Sequence, residues 1–167
     1  RSEKDIEKFE QDSKKLATQL SKKRKTVVGG FEEKVQKLLV LLGMEYAQLK
    51  VEIGILEELS STGLDDVNYL FAPNKGSQFL PIKGIASGGE LSRLTLATKS
   101  LVASAIPLPT LIFDEIDTGI SGDTALKMGG ILHDLADQHQ VVSITHSPQV
   151  AVKADNHYFV FKKVLLW

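Results

Sequence analysis

The chain has 167 residues, 43% hydrophobic and 25% charged, a composition that supports a packed core and excludes global disorder. It contains no cysteine, which excludes a disulfide framework and a thiolate metal site. No apolar run approaches the roughly 18 residues of a membrane span, and the charged N-terminus has no signal-peptide core, so the expected setting is cytoplasmic, with no membrane partner. The formal net charge of −1 conceals an asymmetry: residues 1–50 carry 12 Lys/Arg against 8 Asp/Glu, and residues 51–167 carry 8 against 13. A basic arm on an acidic body points to a polyanion near the arm.

Residues 1–28 predict a helix in which Ile6, Phe9, Leu16, Leu20 and Val27 fall on a heptad seam, with Ser13 and Lys23 as misfits. One such helix cannot bury its own stripe. It is either an ordinary amphipathic helix on a domain or the stump of a coiled coil. Gly29-Gly30 predicts a kink or break, because each glycine inside a helix costs about 1 kcal/mol relative to alanine. Phe31, Val35, Leu38, Leu39 and Leu42 form a second amphipathic stretch, and Gly43 fits a helix C-cap. Leu49–Ile53 alternates as a strand does. Residues 57–66, rich in Ser, Gly, Asp and Thr, predict a loop, and Val67–Phe71 a strand closed by the turn Pro73–Gly76.

From Gly84 the grammar becomes α/β. Glu90–Ala105 predicts a helix, Thr110–Phe113 a buried strand, Gly122–Gln138 a helix, Val141–Thr145 another buried strand, residues 148–154 a short helix and His157–Phe161 a final strand. Such an order implies a mostly parallel sheet flanked by helices. The expected division is a helical arm over residues 1–45 and a lobe over residues 46–167.

Three stretches carry chemistry. In Ser87-Gly88-Gly89-Glu90-Leu91-Ser92-Arg93, Ser87 and Glu90 have the spacing of a capping box. That accounts for both without a ligand. It does not account for Gly88-Gly89 in a first helical turn, where missing side chains allow close approach to the backbone and free N–H groups favour an anion such as phosphate. In Thr110–Glu115 a strand delivers Asp114 and Glu115 to its C-terminal end, where α/β sheets bind ligands. One carboxylate there can hold Mg²⁺ and its neighbour can orient a water for attack on a phosphoryl group; the alternative is an ordinary acidic loop start. In Val141–His146 a second strand delivers His146 to a strand end, as a phosphate sensor or hydrogen-bond donor. His133, His139 and His157 lack such context and are ordinary surface or packing residues.

The acidic pair follows the glycine-rich stretch, with Glu115 25 residues after Glu90, and His146 comes 31 residues after Glu115. In that order, Ser87–Glu90 resembles the signature motif of ABC ATPases, Thr110–Glu115 a Walker B strand, and Thr145-His146 the switch-histidine loop. Within the SMC-like branch, Ile85–Arg93, Phe113–Gly122 and Ile144–Ala151 resemble the RecN family, and the similarity covers roughly residues 20–163. The resemblance implies the C-terminal lobe of an ABC-type ATPase head with ATP and Mg²⁺ as cofactors. By it, Asp114 supports Mg²⁺, Glu115 is the base that polarises the attacking water, and His146 contacts the γ-phosphate. Ser87, Gly88, Gly89 and Glu90 bind ATP held by a second head, and Thr118, Gly119, Ile120 and Ser121 occupy the D-loop position. Ser147 departs from the leucine expected after this histidine.

No Gly-x-x-x-x-Gly-Lys-[Ser/Thr] phosphate loop occurs in the chain. The resemblance places it in an N-terminal lobe reached through a coiled coil, so this chain is expected to serve two ATP sites and complete neither. The implied partners are that Walker A lobe, a second head in a homodimer, and DNA. Lys22, Lys23, Arg24 and Lys25 form a basic cluster that is either a solvated coiled-coil face or a non-specific, salt-dependent DNA contact. The implied function is ATP-driven action in DNA double-strand break repair and recombination, at the nucleoid. The rivals are another SMC-like or ABC head, and a structural module with an incomplete nucleotide site.

Overall fold

The computed structural model describes residues 2–84, 88–103, 105–106 and 108–162. Helix α1 (Ser2–Leu41) is followed by strands β1 (Gln48–Ser60), β2 (Gly63–Ala72) and β3 (Leu80–Pro81), and by a single 3₁₀ turn at Ile82–Gly84. Then come α2 (Gly88–Ala103), β4 (Thr110–Asp114), α3 (Gly122–Ala136), β5 (Gln140–Ile144) and α4 (Pro148–Ala151). The fold is α/β, with a parallel β4–β5 pair in register from Thr110↔Gln140 to Asp114↔Ile144 and an antiparallel sheet of order β1-β2-β3.

Helix α1 runs through Gly29-Gly30 without the expected break. Nothing lies within 4 Å of where either glycine's Cβ would be, so their cost is one of propensity, about 1 kcal/mol each. Val35 and Leu39, about one and a half and two and a half turns later, are fully buried and anchor the helix beyond the glycines. At 1.5 Å per residue the helix is about 60 Å long. It ends as predicted at Gly43, whose φ of 74° suits glycine. Gly43 N–H donates to the Val40 carbonyl at 3.1 Å and Met44 N–H to the Leu39 carbonyl at 2.9 Å, the paired bonds of a Schellman cap.

The inward stripe of α1 is Ala17, Ser21, Arg24, Val28, Phe31, Val35 and Leu38, all buried or half-buried, and Leu42 continues it just past the helix end. It repeats with a heptad period, but one residue later than the predicted seam. One residue is about 100° of helix rotation. The predicted seam therefore faces solvent: Ile6 is 56% exposed, Phe9 67%, Leu16 65% and Val27 63%.

The predicted loop at 57–66 is the end of a hairpin. Strand β1 continues to Ser60, the tip closes at Ser60↔Gly63, and the register shifts between Ile55 and Ser60. The Ser60 hydroxyl donates to the Gly63 carbonyl at 2.7 Å, so the polar residues that suggested a loop build the turn itself. Asp65, on β2, is buried against α1 and receives the Arg24 guanidinium at 2.9 Å.

One core joins these parts. Val35 and Leu39 of α1, with Leu42 just after it, meet Leu49 and Phe71 of the hairpin, Leu94, Leu96 and Ala97 of α2, Leu111 and Phe113 of β4, and Ala125, Met128 and Leu132 of α3. Two expectations fail here. Strands β4 and β5 are buried on one face only: Leu111 and Phe113 point inward, while Ile112 is 62% exposed, Val142 43% and Ile144 52%. And His157–Phe161 is not a strand; it pairs with no described strand and Tyr158–Phe161 stand in solvent. Its apolar run would need a ladder neighbour to become a strand.

Candidate functional site

Parallel pairing of β4 and β5 brings their C-terminal ends together. Asp114 lies beside Ile144, and the Glu115 N–H donates to the Ile144 carbonyl at 3.0 Å. The acidic pair and the Thr145-His146 pair are therefore neighbours at one sheet end, as their positions at two strand ends suggested. Asp114, Glu115 and His146 are all exposed there. Glu115 has φ of 47°, the only positive value among the described non-glycine residues. A non-glycine residue in this region costs of order 1–3 kcal/mol and persists only where its surroundings enforce it. Here the enforcing bonds are its own N–H to Ile144 and its carbonyl to Thr118, whose N–H and hydroxyl reach it at 3.3 and 2.9 Å.

The loop after β4 carries the expected D-loop residues Thr118, Gly119, Ile120 and Ser121. Ile120 is half-buried against the core and the other three are exposed. This loop leads into α3, with Ser121 in extended conformation at the N-cap.

The glycine-rich stretch approaches the same loop. A Cβ on Gly89 would lie 2.8 Å from the Thr118 carbonyl oxygen, whereas one on Gly88 would meet none of the described residues within 4 Å. Glycine at 89 is thus required by the chain's own packing, a reason the sequence reading did not supply. Glu90 sits half-buried in the first turn of α2; Ser87 lies outside the described residues. Arg93, one turn on, shares with Glu90, Gly43, Tyr46 and Asn74 a cleft of about 180 Å³. Burial pushes its guanidinium pKa down while the Glu90 carboxylate opposes the shift.

A residue absent from the sequence-based site lies at its centre. Asp117 is 1% exposed. Its Oδ2 accepts the Thr145 hydroxyl and, at 3.2 Å, the Ser147 N–H, and lies 3.9 Å from His146 Nδ1. Its signal in the sequence was slight: one more acid, two residues past Glu115, between Ile116 and Thr118.

Among the described residues no three His, Asp or Glu side chains converge on a metal position. Asp114 offers a single exposed carboxylate, which fits a Mg²⁺ that takes most of its ligands from water and phosphate. The basic cluster divides. Lys22, Lys23 and Lys25 are exposed, but Arg24 is turned to Asp65 and its charge is committed to that ion pair. Among the described residues no helix is long and apolar enough to cross a membrane.

The arrangement matches known folds. The head domain of an Smc protein from Pyrococcus furiosus, solved with an extended coiled coil and bound to the C-terminal domain of ScpA, superposes with a TM-score of 0.64 at 20% identity, over 92% of this chain and 36% of that one. A structure from work on ATP-driven dimerisation and DNA-stimulated activation of SMC ATPases aligns with a TM-score of 0.53 at 20% identity, over 83% of this chain and 80% of that one. The fold is that of part of an SMC-type head domain. In sequence the chain is RecN-like: it is 42% identical over 151 residues to the DNA repair protein RecN of Rickettsia typhi and 40% identical over 172 residues to that of Treponema pallidum. These matches take in 90% and 95% of this chain. It spans 27–30% of the length of these curated relatives. No family model matches it.

Proposed function

We propose that this chain is the C-terminal lobe of the head of a RecN-type ATPase that acts on DNA in double-strand break repair and recombination. The observation that carries the proposal is the meeting of two strand ends: Asp114-Glu115 and Thr145-His146 share one edge, held together by the Glu115–Ile144 bond. In this reading Asp114 supports Mg²⁺, Glu115 polarises the attacking water and His146 contacts the γ-phosphate of ATP held on the chain's own N-terminal Walker A lobe. Ser87, Gly88, Gly89 and Glu90 serve ATP on a second head, and Thr118–Ser121 lies at the head–head interface. ATP bound between two heads would supply the energy for their closure.

The bare face of the parallel pair supports the missing-lobe reading. Parallel sheets are ordinarily covered on both faces, and Ile112, Val142 and Ile144 form an apolar strip that the Walker A lobe would cover. The open heptad seam Ile6, Phe9, Leu16, Leu20, Val27 supports a coiled-coil arm over residues 1–45 in the same way. DNA would meet Lys22, Lys23 and Lys25 through its phosphates, without base readout.

ATP turnover by the complete protein, with and without DNA, tests the proposal. Turnover that DNA stimulates supports it. Turnover indifferent to DNA favours another ABC head, and no turnover favours a structural module.

A further inference from the structure

Burying a carboxylate is expensive unless hydrogen bonds compensate, and a well-packed apolar side chain is often the cheaper occupant of such a position. Asp117 is nevertheless buried next to core residue Ile116. It is also only half satisfied: Oδ1 has no hydrogen-bond partner among the described residues. All its bonding runs through Oδ2 to one short segment, 28 and 30 residues away.

That segment brackets His146. Thr145 and Ser147 are its two neighbours, and both donate to Asp117 Oδ2. Ser147 N–H also reaches the Thr145 hydroxyl oxygen at 3.0 Å, closing a small ring of bonds. His146 itself has a side chain 71% exposed, with Nδ1 turned to Asp117 at 3.9 Å. Residues 145–147 belong to no regular element, so these bonds stand in for one. On its other side Asp117 belongs to the loop of Thr118–Ser121, and its carbonyl accepts the Ile120 N–H at 3.1 Å.

We propose that Asp117 is a positioning residue that fixes His146 and locks the Thr118–Ser121 loop and the Thr145–Ser147 segment into one unit. The proposal rests on the ATPase reading above. A change at the loop between heads would reach the imidazole through a single buried carboxylate, without passing through the sheet.

The test uses the complete protein carrying Asp117→Ala, Asp117→Asn or Glu115→Gln. Asp117→Ala should lower kcat for ATP roughly ten- to a hundredfold while KM stays within about threefold, and the Ser147 amide should lose its protection from hydrogen exchange. Asparagine keeps a carbonyl oxygen that accepts both loop donors, so Asp117→Asn should retain that protection and most of kcat. Unchanged kcat in Asp117→Ala, with Glu115→Gln inactive, overturns this inference alone. Absence of ATP turnover in the wild-type complete protein overturns the ATPase reading beneath it. Should Asp117→Ala fail to fold, Asp117→Asn decides: lost kcat with Ser147 still protected contradicts the inference, and retained kcat with protection supports it.

Discussion

Gly89 and Thr118 meet where a side chain is missing: a Cβ on Gly89 would stand 2.8 Å from the Thr118 carbonyl oxygen. The first turn of α2 is thereby seated on the loop that follows β4. At Gly88, one residue earlier, a Cβ would meet none of the described residues within 4 Å. The two adjacent glycines therefore differ: the chain's own packing requires the second, and the first has its proposed role at a second head.

The first prediction separates them. Gly89→Ala forces backbone apart and should destabilise the protein by about 1–3 kcal/mol. Gly88→Ala should leave stability within about 0.5 kcal/mol of wild type yet weaken ATP-dependent head association. Chemical denaturation of both variants checks this; equal losses would contradict it.

A second prediction concerns pH. The Ser21 hydroxyl, then the Arg24 guanidinium, hold the Asp65 carboxyl below the usual carboxylate range against the opposing effect of burial. A group whose folded-state pKa is depressed contributes stability that is complete above its unfolded value, about 3.9, and lost as pH falls through the folded one. Thermal unfolding from pH 7 down to about pH 3 should therefore cost wild type more than Asp65→Asn, which has no carboxylate to protonate. Parallel curves for the two proteins would remove the ion pair from the account of how α1 docks on the hairpin.

DNA affinity should depend on three lysines and not on their neighbour. Each lost phosphate contact lowers the slope of log K against log salt by about 0.9 for duplex DNA. Replacing Lys22, Lys23 and Lys25 by alanine should flatten it by up to about 2.7. Arg24→Ala should leave the slope unchanged and instead loosen α1 from the hairpin, because its guanidinium faces Asp65. A filter-binding or anisotropy titration across salt concentrations distinguishes the two variants, and an Arg24→Ala slope as flat as that of the lysine variant would refute the division.

Backbone strain at Glu115 gives a fourth expectation. Its φ of 47° suits glycine, so Glu115→Gly should raise stability by about 0.5–1 kcal/mol while abolishing turnover. A loss of stability instead would mean that the carboxylate, not the turn, holds that conformation.

Much of this site was legible because it depends on strand ends. Asp114-Glu115 and Thr145-His146 each close an apolar run, and parallel pairing then makes them neighbours. Gly43 was legible because a glycine after an amphipathic stretch has one common use, and φ of 74° fulfils it. What escaped was whatever depends on distant partners. Gly29-Gly30 reads locally as a break, but burial of Val35 and Leu39 outweighs two glycine penalties. The heptad seam of α1 is present, yet the stripe that packs is rotated by one residue, with Ala17 beside the hairpin turn at Gly63 and Arg24 paired with Asp65. Asp65 and Asp117 are both buried acids whose partners lie 28–44 residues away, a relation that no local pattern encodes.

The central claim is that Glu115 activates water for attack on ATP. The most direct measurement is ATP turnover by the complete protein carrying Glu115→Gln, with head association in ATP followed by sedimentation. Removing a general base should cut turnover by about 10²–10⁴-fold, while ATP still binds and head dimers persist longer than in wild type. Turnover equal to wild type, with dimers no longer-lived, would contradict the assignment.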